Sequence, residues 1–231
     1  MNYAAKNEIT RNYYKKDFTK LNELMQRIRD SLATGNRLSL EGLDLSDIIE
    51  FKGNSQYFYI HIFQEFKQRI RYGSRRETLE ETLNRAILGI RQNPRFNEFE
   101  LQDVCKTRIM LEWITDRRKV SINKVHIHGE FDENRFEPGI TGIEVKFENK
   151  TYVFLPTDCP VLNEMNMSPV FAILAKKIGL GKDKKLKVQE KAALVKNLEG
   201  AEFYLLESKA FVTYKTDILP LYRGNVLYKE F

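Results

Sequence analysis

The chain has 231 residues, of which 42% are hydrophobic and 30% are charged, so it can bury a core and is too apolar for intrinsic disorder. Its 38 Lys and Arg residues outnumber its 32 Asp and Glu residues and give a formal net charge of +6. This charge permits binding to phosphates without requiring it, because a solvated basic surface has the same composition.

The cysteines and the apolar runs indicate a cellular location. Cys105 and Cys159 are far apart and lack the spacing of zinc ligands, which predicts free thiols in a reducing compartment. The N-terminal residues contain no apolar run of signal-peptide length, and no window reaches the ~18 apolar residues of a membrane span. We therefore expect a cytoplasmic protein that has no membrane partner and no cofactor. The sequence indicates no particular oligomeric state.

A helix and a hairpin are predicted first along the chain. Apolar residues at intervals of three and four predict a helix over Asp17–Ala33, and Gly35 follows as its C-cap. The segments 56–63 and 65–72 alternate as two strands joined by a turn at Gln64. His61 lies inside the first of these strands, where we expect a hydrogen-bonded role in the sheet.

A second helix is predicted after this hairpin. Ser74 and Glu77 have the spacing of a capping box, in which each side chain accepts a backbone N–H at the start of a helix. Apolar residues continue the pattern to Ile90, and the helix should end near Asn93 because Pro94 disfavours helical geometry in the preceding residue.

The remainder of the chain predicts more strands than helices. A strand is expected within Lys106–Arg118, and residues 140–156 read as a hairpin that turns at Asn149 and Lys150. Helices are expected at 168–178 and 186–198, and strands at 202–207 and 210–215. Helices and strands do not alternate regularly and both hairpins are antiparallel, so we predict an α+β fold with a mixed or antiparallel sheet and flanking helices.

Two histidines are the candidate metal ligands. His126 and His128 are two residues apart on a predicted extended segment, so both rings could reach one metal, with Glu130 or Glu133 as a carboxylate ligand. The polar outer face of a strand has the same pattern. We predict no metal site and keep this pair as the alternative.

A basic corner is the candidate anion site. Arg69 and Arg71 alternate on a strand and share a face, and the predicted helix start at Ser74 offers free N–H groups beside further arginines. Guanidinium groups and helix-end amides suit phosphate, although the same arginines could pair with the glutamates of the helix. The candidate anion-binding residues are Arg69, Arg71, Ser74, Arg75, Arg76, Arg95, Lys182, Lys184 and Lys185.

Several segments in this order resemble the AMMECR-type domain family. Ile70–Ser74 resembles the family's Leu-Arg-Gly-Cys-Ile-Gly signature, which lies at the end of a strand, and Asn93–Phe96 resembles its Asp-Pro-Arg-Phe element. Downstream, Pro138–Pro156, Lys176–Leu180 and the strand from Glu202 resemble later family segments. The likeness extends over residues 56–212. The chain departs from the family at the signature, since Tyr72 or Gly73 stands where the family has its cysteine.

The resemblance implies a two-lobed α+β fold with a cleft beside the signature, for which enzymatic and nucleic-acid roles have both been suggested. We accordingly expect a polar tail at 1–15, one two-lobed domain at 16–215, and an aromatic tail at 216–231 that packs on the body. The leading hypothesis is a basic cleft that binds RNA or a nucleotide. The alternatives are a metal-dependent enzyme that uses His126 and His128, and a protein-interaction module that uses the C-terminal tail.

Overall fold

The computed structural model describes residues 19–64, 67–101, 103, 106–126, 132–136, 140–158, 174, 177–178, 200–214 and 217–221. These residues belong to two compact units. The first contains residues up to Trp113 together with the segment from Lys209, and the second contains Ile114–Ser208. The predicted helices at 168–178 and 186–198 lie outside the described residues, apart from 174 and 177–178.

Within the described residues, seven strands and two complete α-helices confirm the predicted α+β class. Helix α1 is Thr19–Thr34 and helix α2 is Leu79–Arg91. The strands are β1 Phe58–Gln64, β2 Lys67–Ser74, β3 Thr107–Val120, β4 Thr141–Phe147, β5 Lys150–Phe154, β6 Glu202–Tyr214 and β7 Asp217–Leu221. Their order in the sheet is β2-β1-β3-β6-β4-β5, and β7 also pairs with β6. The pairs β1–β2, β1–β3, β4–β5, β4–β6 and β6–β7 are antiparallel.

The first unit packs both helices on one face of its strands. Successive side chains of a strand point to opposite faces, so Phe58, Ile60 and Ile62 of β1 enter the core while Tyr59 and His61 point away from it. The helices and the neighbouring strands supply the other core residues, which include Leu21, Leu24, Met25, Ile28, Leu83, Ile87, Ile109, Leu111, Trp113 and Phe211.

The first helix and the hairpin are both present, but each strand of the hairpin begins two residues later than predicted, and Gln64 is the last residue of β1 and not the turn. Gly35 follows α1 with φ 83° and donates its N–H to Ser31 at 2.9 Å, as a left-handed C-cap requires. The hairpin contains a bulge that the alternation does not reveal, because Ile62 pairs with Ile70 while Phe63 pairs with Gln68. Arg69 is the extra residue.

The capping-box prediction is wrong. Ser74 is the last residue of β2 and pairs with Phe58, so its backbone belongs to the sheet. The N-cap of α2 is Thr78, whose hydroxyl accepts the N–H of Glu81 at 3.2 Å. Ser and Thr are both favourable N-cap residues. Strand pairing holds Ser74 in the sheet, so Thr78 takes the N-cap position.

Gly89 is required where α2 crosses β2. A Cβ at this position would lie 2.4 Å from three ring atoms of Tyr72. Gly89→Ala should therefore lower the free energy of unfolding by about 1–3 kcal/mol, although alanine is intrinsically about 1 kcal/mol better than glycine inside a helix. Urea unfolding measures the change. In a Tyr72→Ala background the same substitution should stabilise the protein, and a loss in both backgrounds would contradict the steric explanation.

The second unit is built around the hairpin of β4 and β5. Its core contains Ile143, Val145, Phe154, Phe203 and Leu205. The turn uses Glu148 and Asn149 with φ of 49° and 61°, one residue earlier than predicted. The two predicted strands at 202–207 and 210–215 form the single strand β6.

An ion pair that stacks on a tyrosine ring lies on the face of β4 opposite this core. Glu144 is buried, and its carboxylate accepts hydrogen bonds from Arg117 Nη2 at 2.8 Å and from Arg117 Nε at 3.3 Å. The guanidinium lies 3.3 Å from the ring centroid of Tyr204. Burial alone would lower the pKa of Arg117, but its interactions with Glu144 and Tyr204 outweigh burial and raise that pKa. This arginine already has its partners and is not a candidate for ligand binding.

The two α-helices described here, of 16 and 13 residues, are too short to span a bilayer, and neither meets the apolar requirement for a span.

Candidate functional site

A groove of about 680 Å³ follows the exposed side of α2 in the first unit. One wall is the loop after α1, and the other begins at the connection between β2 and α2. Four of its side chains are arginines and two are glutamates. The residues that line it are Gly35, Asn36, Arg37, Asn54, Arg76, Glu77, Glu81, Asn84, Arg85, Ile87, Leu88 and Arg91. We refer to this surface as the arginine groove.

Side chains of α2 fix the loop wall of the groove. The side-chain amide of Asn84 accepts the backbone N–H of Leu38 and donates to its carbonyl, both at 2.9 Å. It therefore forms the two hydrogen bonds that a neighbouring strand would form with this residue. Glu80 accepts the N–H of Leu40 at 2.9 Å. These contacts hold the loop against the helix. The backbone next to Arg37 is therefore held in place, although the Arg37 side chain is 71% exposed.

Gly35 lets the loop pass close to the C-terminal end of α2. A Cβ there would lie 2.8 Å from Arg91 Nη2, and the positive φ strains any other residue. Arg91 donates to the carbonyl of Leu32 and its guanidinium lies 5.5 Å from the ring centroid of Phe96. Arg91 therefore joins the two helices as well as lining the groove.

Thr82 fixes the other wall. Its hydroxyl accepts the backbone N–H of Arg76 at 2.9 Å and donates to the carbonyl of Thr78 at 2.8 Å. The side chain of Arg76 is exposed and its Nη1 donates to the carbonyl of Arg75 at 2.8 Å. Arg85 is exposed on the next turn of α2, and no ion pair joins it to another described residue. Arg76 and Arg85 are thus the arginines of the groove with the most donors available.

The predicted arginines lie in different places. Arg76 lines the arginine groove, whereas Arg69, Arg71, Arg75 and Arg95 do not. Arg71 lies 6.0 Å from the ring centroid of Tyr59, and Arg75 lies 4.9 Å from that of Tyr57. Arg69 is exposed at the bulge of β2, and Arg95 is exposed after α2. Lys182, Lys184 and Lys185 lie outside the described residues.

Ser74 does not offer the helix N-terminus that its prediction as an anion ligand assumed. It is buried at the end of β2, and its hydroxyl oxygen makes no hydrogen bond to the described residues. The N-cap of the helix lies four residues later, at Thr78.

His126 has a carboxylate neighbour of its own. It forms a single bridge with Arg135, not a strand, and its Nε2 lies 3.0 Å from Asp132 Oδ1. Hydrogen bonds from the backbone of Asn134 and the His126 ring lower the pKa of Asp132. His128 lies outside the described residues. Within the described ranges, no group of three His, Cys, Asp or Glu side chains could hold a metal.

Three arginines of the groove were not among the predicted site residues. Arg85 and Arg91 lie on α2, and Arg37 precedes it by more than forty positions in the sequence. A signal was present in the spacing of Glu81, Asn84, Arg85 and Leu88, which share one side of a helix. Leu88 is 44% exposed, and this apolar side chain on a polar helix face is one of the residues that line the groove.

The fold of this chain resembles that of a solved structure, whereas the comparisons with family models and curated proteins found no match. No protein-family model matches the chain, and no curated protein matches it. The crystal structure of the uncharacterized protein PH0010 from Pyrococcus horikoshii is similar, with a TM-score of 0.61 and 15% sequence identity over 89% of this chain and 97% of that one. At this identity the likeness shows a shared fold and carries no statement about activity.

Proposed function

We propose that this chain is an AMMECR-like protein whose arginine groove binds an anionic ligand, with RNA or a nucleotide as the best candidate. The observation that carries the proposal is the convergence of Arg37, Arg76, Arg85 and Arg91 on one groove. Glu77 and Glu81 also line the groove and Glu80 forms an ion pair with Arg37 at 4.0 Å, so the four arginines leave one positive charge in excess. Guanidinium groups bind phosphate oxygens through paired N–H donors, so the groove has the chemistry of a phosphate site.

The size and lining of the groove also fit a nucleotide. Ligand sites of small molecules have volumes of about 300–1,000 Å³, and the groove has 680 Å³. Asn36 and Asn54 add amide donors and acceptors, while Leu88 supplies an apolar contact. A ligand with both phosphate and a flat, partly apolar ring uses all three kinds of contact.

Charge reversal at Arg85 tests the proposal. Arg85→Glu should weaken binding of a fluorescein-labelled oligouridylate by about tenfold or more, because hydrogen bonds to charged groups contribute about 1.5–3 kcal/mol each. Fluorescence anisotropy at two salt concentrations measures the affinity, which should also fall as salt rises. Arg85 is exposed, so the free energy of unfolding should change by less than about 0.5 kcal/mol.

Lys150→Glu is the matched control. Lys150 is exposed in the β4–β5 hairpin of the second unit and is not among the groove residues, yet its replacement changes the net charge by the same amount. Its affinity for the oligouridylate should stay near that of the parent protein. Equal losses of affinity in the two variants would show that Arg85 acts only through the net charge of the protein and not through the groove. The absence of any binding at low salt would refute the proposed function.

A further inference from the structure

An aromatic stack adjoins the arginine groove along the chain, because Arg75 of the stack directly precedes Arg76 of the groove. The rings of Tyr57 and Tyr59 are 5.9 Å apart between centroids and inclined by 23°. Arg75 lies over the ring of Tyr57, with 4.9 Å from its Cζ to the ring centroid. Tyr59 is buried, Tyr57 is half-buried and Arg75 is exposed, so the stack leads from the interior to the surface.

Gly73 makes room for the buried end of this stack. It pairs with Tyr59 across the β1–β2 hairpin, and a Cβ on it would lie 2.3 Å from Cε1 of the Tyr59 ring. The ring therefore lies directly against the backbone of β2. Arg71 approaches the same ring, at 6.0 Å from its centroid. With these neighbours Tyr59 provides a fixed base on which Tyr57 and Arg75 rest.

The stack and the groove are joined through the chain itself. Arg75 and Arg76 are consecutive, and the first covers Tyr57 while the second lines the groove. Asn54, three residues before Tyr57, also lines the groove. The hydroxyl of Thr82 holds the backbone of Arg76 at 2.9 Å, so the step from the stack to the groove has a defined geometry.

We propose that the ligand of the arginine groove is a single-stranded nucleic acid, whose phosphates lie in the groove and one of whose bases stacks on the exposed face of Arg75. This inference rests on the proposed function and specifies its ligand class. Unpaired bases stack on aromatic rings and on arginine guanidinium planes, and such stacking depends little on the identity of the base. A base in the interior of a duplex cannot stack at this site, because both of its faces are already stacked.

The test compares two labelled strands of the same length, an oligouridylate and an abasic ribose-phosphate strand, at low salt by fluorescence anisotropy. The full-length protein should bind the oligouridylate about tenfold more tightly than the abasic strand, as one stacked base predicts. Arg75→Lys keeps the positive charge and removes the guanidinium plane, and Tyr57→Leu removes the ring beneath it. Each should bring the ratio of the two affinities close to one, while Lys150→Glu should keep the ratio of the parent protein.

The outcomes separate this inference from the proposed function. Equal affinity of the parent protein for both strands would overturn the base-stacking inference and leave the anion groove standing. An undiminished ratio in Arg75→Lys, whose exposed side chain makes it safe for folding, would also overturn it. Failure of the parent protein to bind either strand would refute the proposed function and the inference together.

Discussion

Replacing Trp113 by alanine should lower the free energy of unfolding by about 3–5 kcal/mol, the usual cost of truncating a large buried aromatic side chain. Trp113 is 1% exposed and its ring is stacked between Phe58, at 5.8 Å and 12°, and Phe211, at 5.2 Å and 11°. These three rings come from β3, β1 and β6. The substitution would leave a cavity shared by three strands, which the rigid sheet cannot close by collapse.

Urea unfolding followed by far-ultraviolet circular dichroism measures this loss, since the chain has a single tryptophan and the variant loses its fluorescence. Trp113→Phe keeps a ring between Phe58 and Phe211 and should lose clearly less stability than Trp113→Ala. A loss of only ~1 kcal/mol in the alanine variant would contradict the assignment of these rings to a rigid core. The denaturant dependence should be unchanged between variants, which shows that both unfold to the same extent.

Glu112→Ala should destabilise the protein by about 3 kcal/mol, because it removes one member of a fully buried polar pair and leaves the other without its neighbour. His61 of β1 and Glu112 of β3 are diagonal neighbours, with 3.0 Å between His61 Nε2 and Glu112 Oε2, and both side chains are fully buried. The other ring nitrogen of His61 lies 2.9 Å from Gln68 Oε1. Both nitrogens of the ring thus have a polar neighbour.

A double-mutant cycle distinguishes this pair from two independent buried residues. Replacing both His61 and Glu112 by leucine should lower the free energy of unfolding by clearly less than the sum of the two single changes to leucine, because apolar groups of similar size often replace both members of a buried polar pair at small cost. Urea unfolding of the four proteins gives the coupling free energy. Additive losses would show that the two side chains act independently.

The bulge in β2 explains why this pair could not be read from the sequence. Alternation along β1 places His61 in a sheet, as predicted, and it also shows that His61 and Tyr59 share a face. It does not reveal that the bulge at Arg69 brings Gln68 beside His61, or that β3 pairs with β1 in a register that places Glu112 within reach. Register depends on the packing of a whole sheet face, which the local pattern of one strand does not contain.

The residues of the candidate site were also predicted only in part from the sequence. The predicted basic corner names Arg75 and Arg76, and the structure turns these neighbours to different surroundings, one over Tyr57 and the other into the arginine groove. The end of β2 at Ser74 and the N-cap at Thr78 set the direction of the chain at this point. Arg37 lines the groove next to Leu38 and Leu40, whose backbone N–H groups are held against α2 by Asn84 and Glu80.

The sequence by itself determined the elements that depend on local patterning. Helical spacing predicted α1 and α2, alternation predicted both hairpins, and together they predicted the α+β class that the structure has. The tertiary structure decided which residues meet, because contacts between distant segments depend on strand order, register and the exact end of each element. This difference is greatest at the corner of Arg69–Arg76, where local sequence predicted positive charge, and packing decided that Arg76 faces a groove and Arg75 covers a stack of tyrosines.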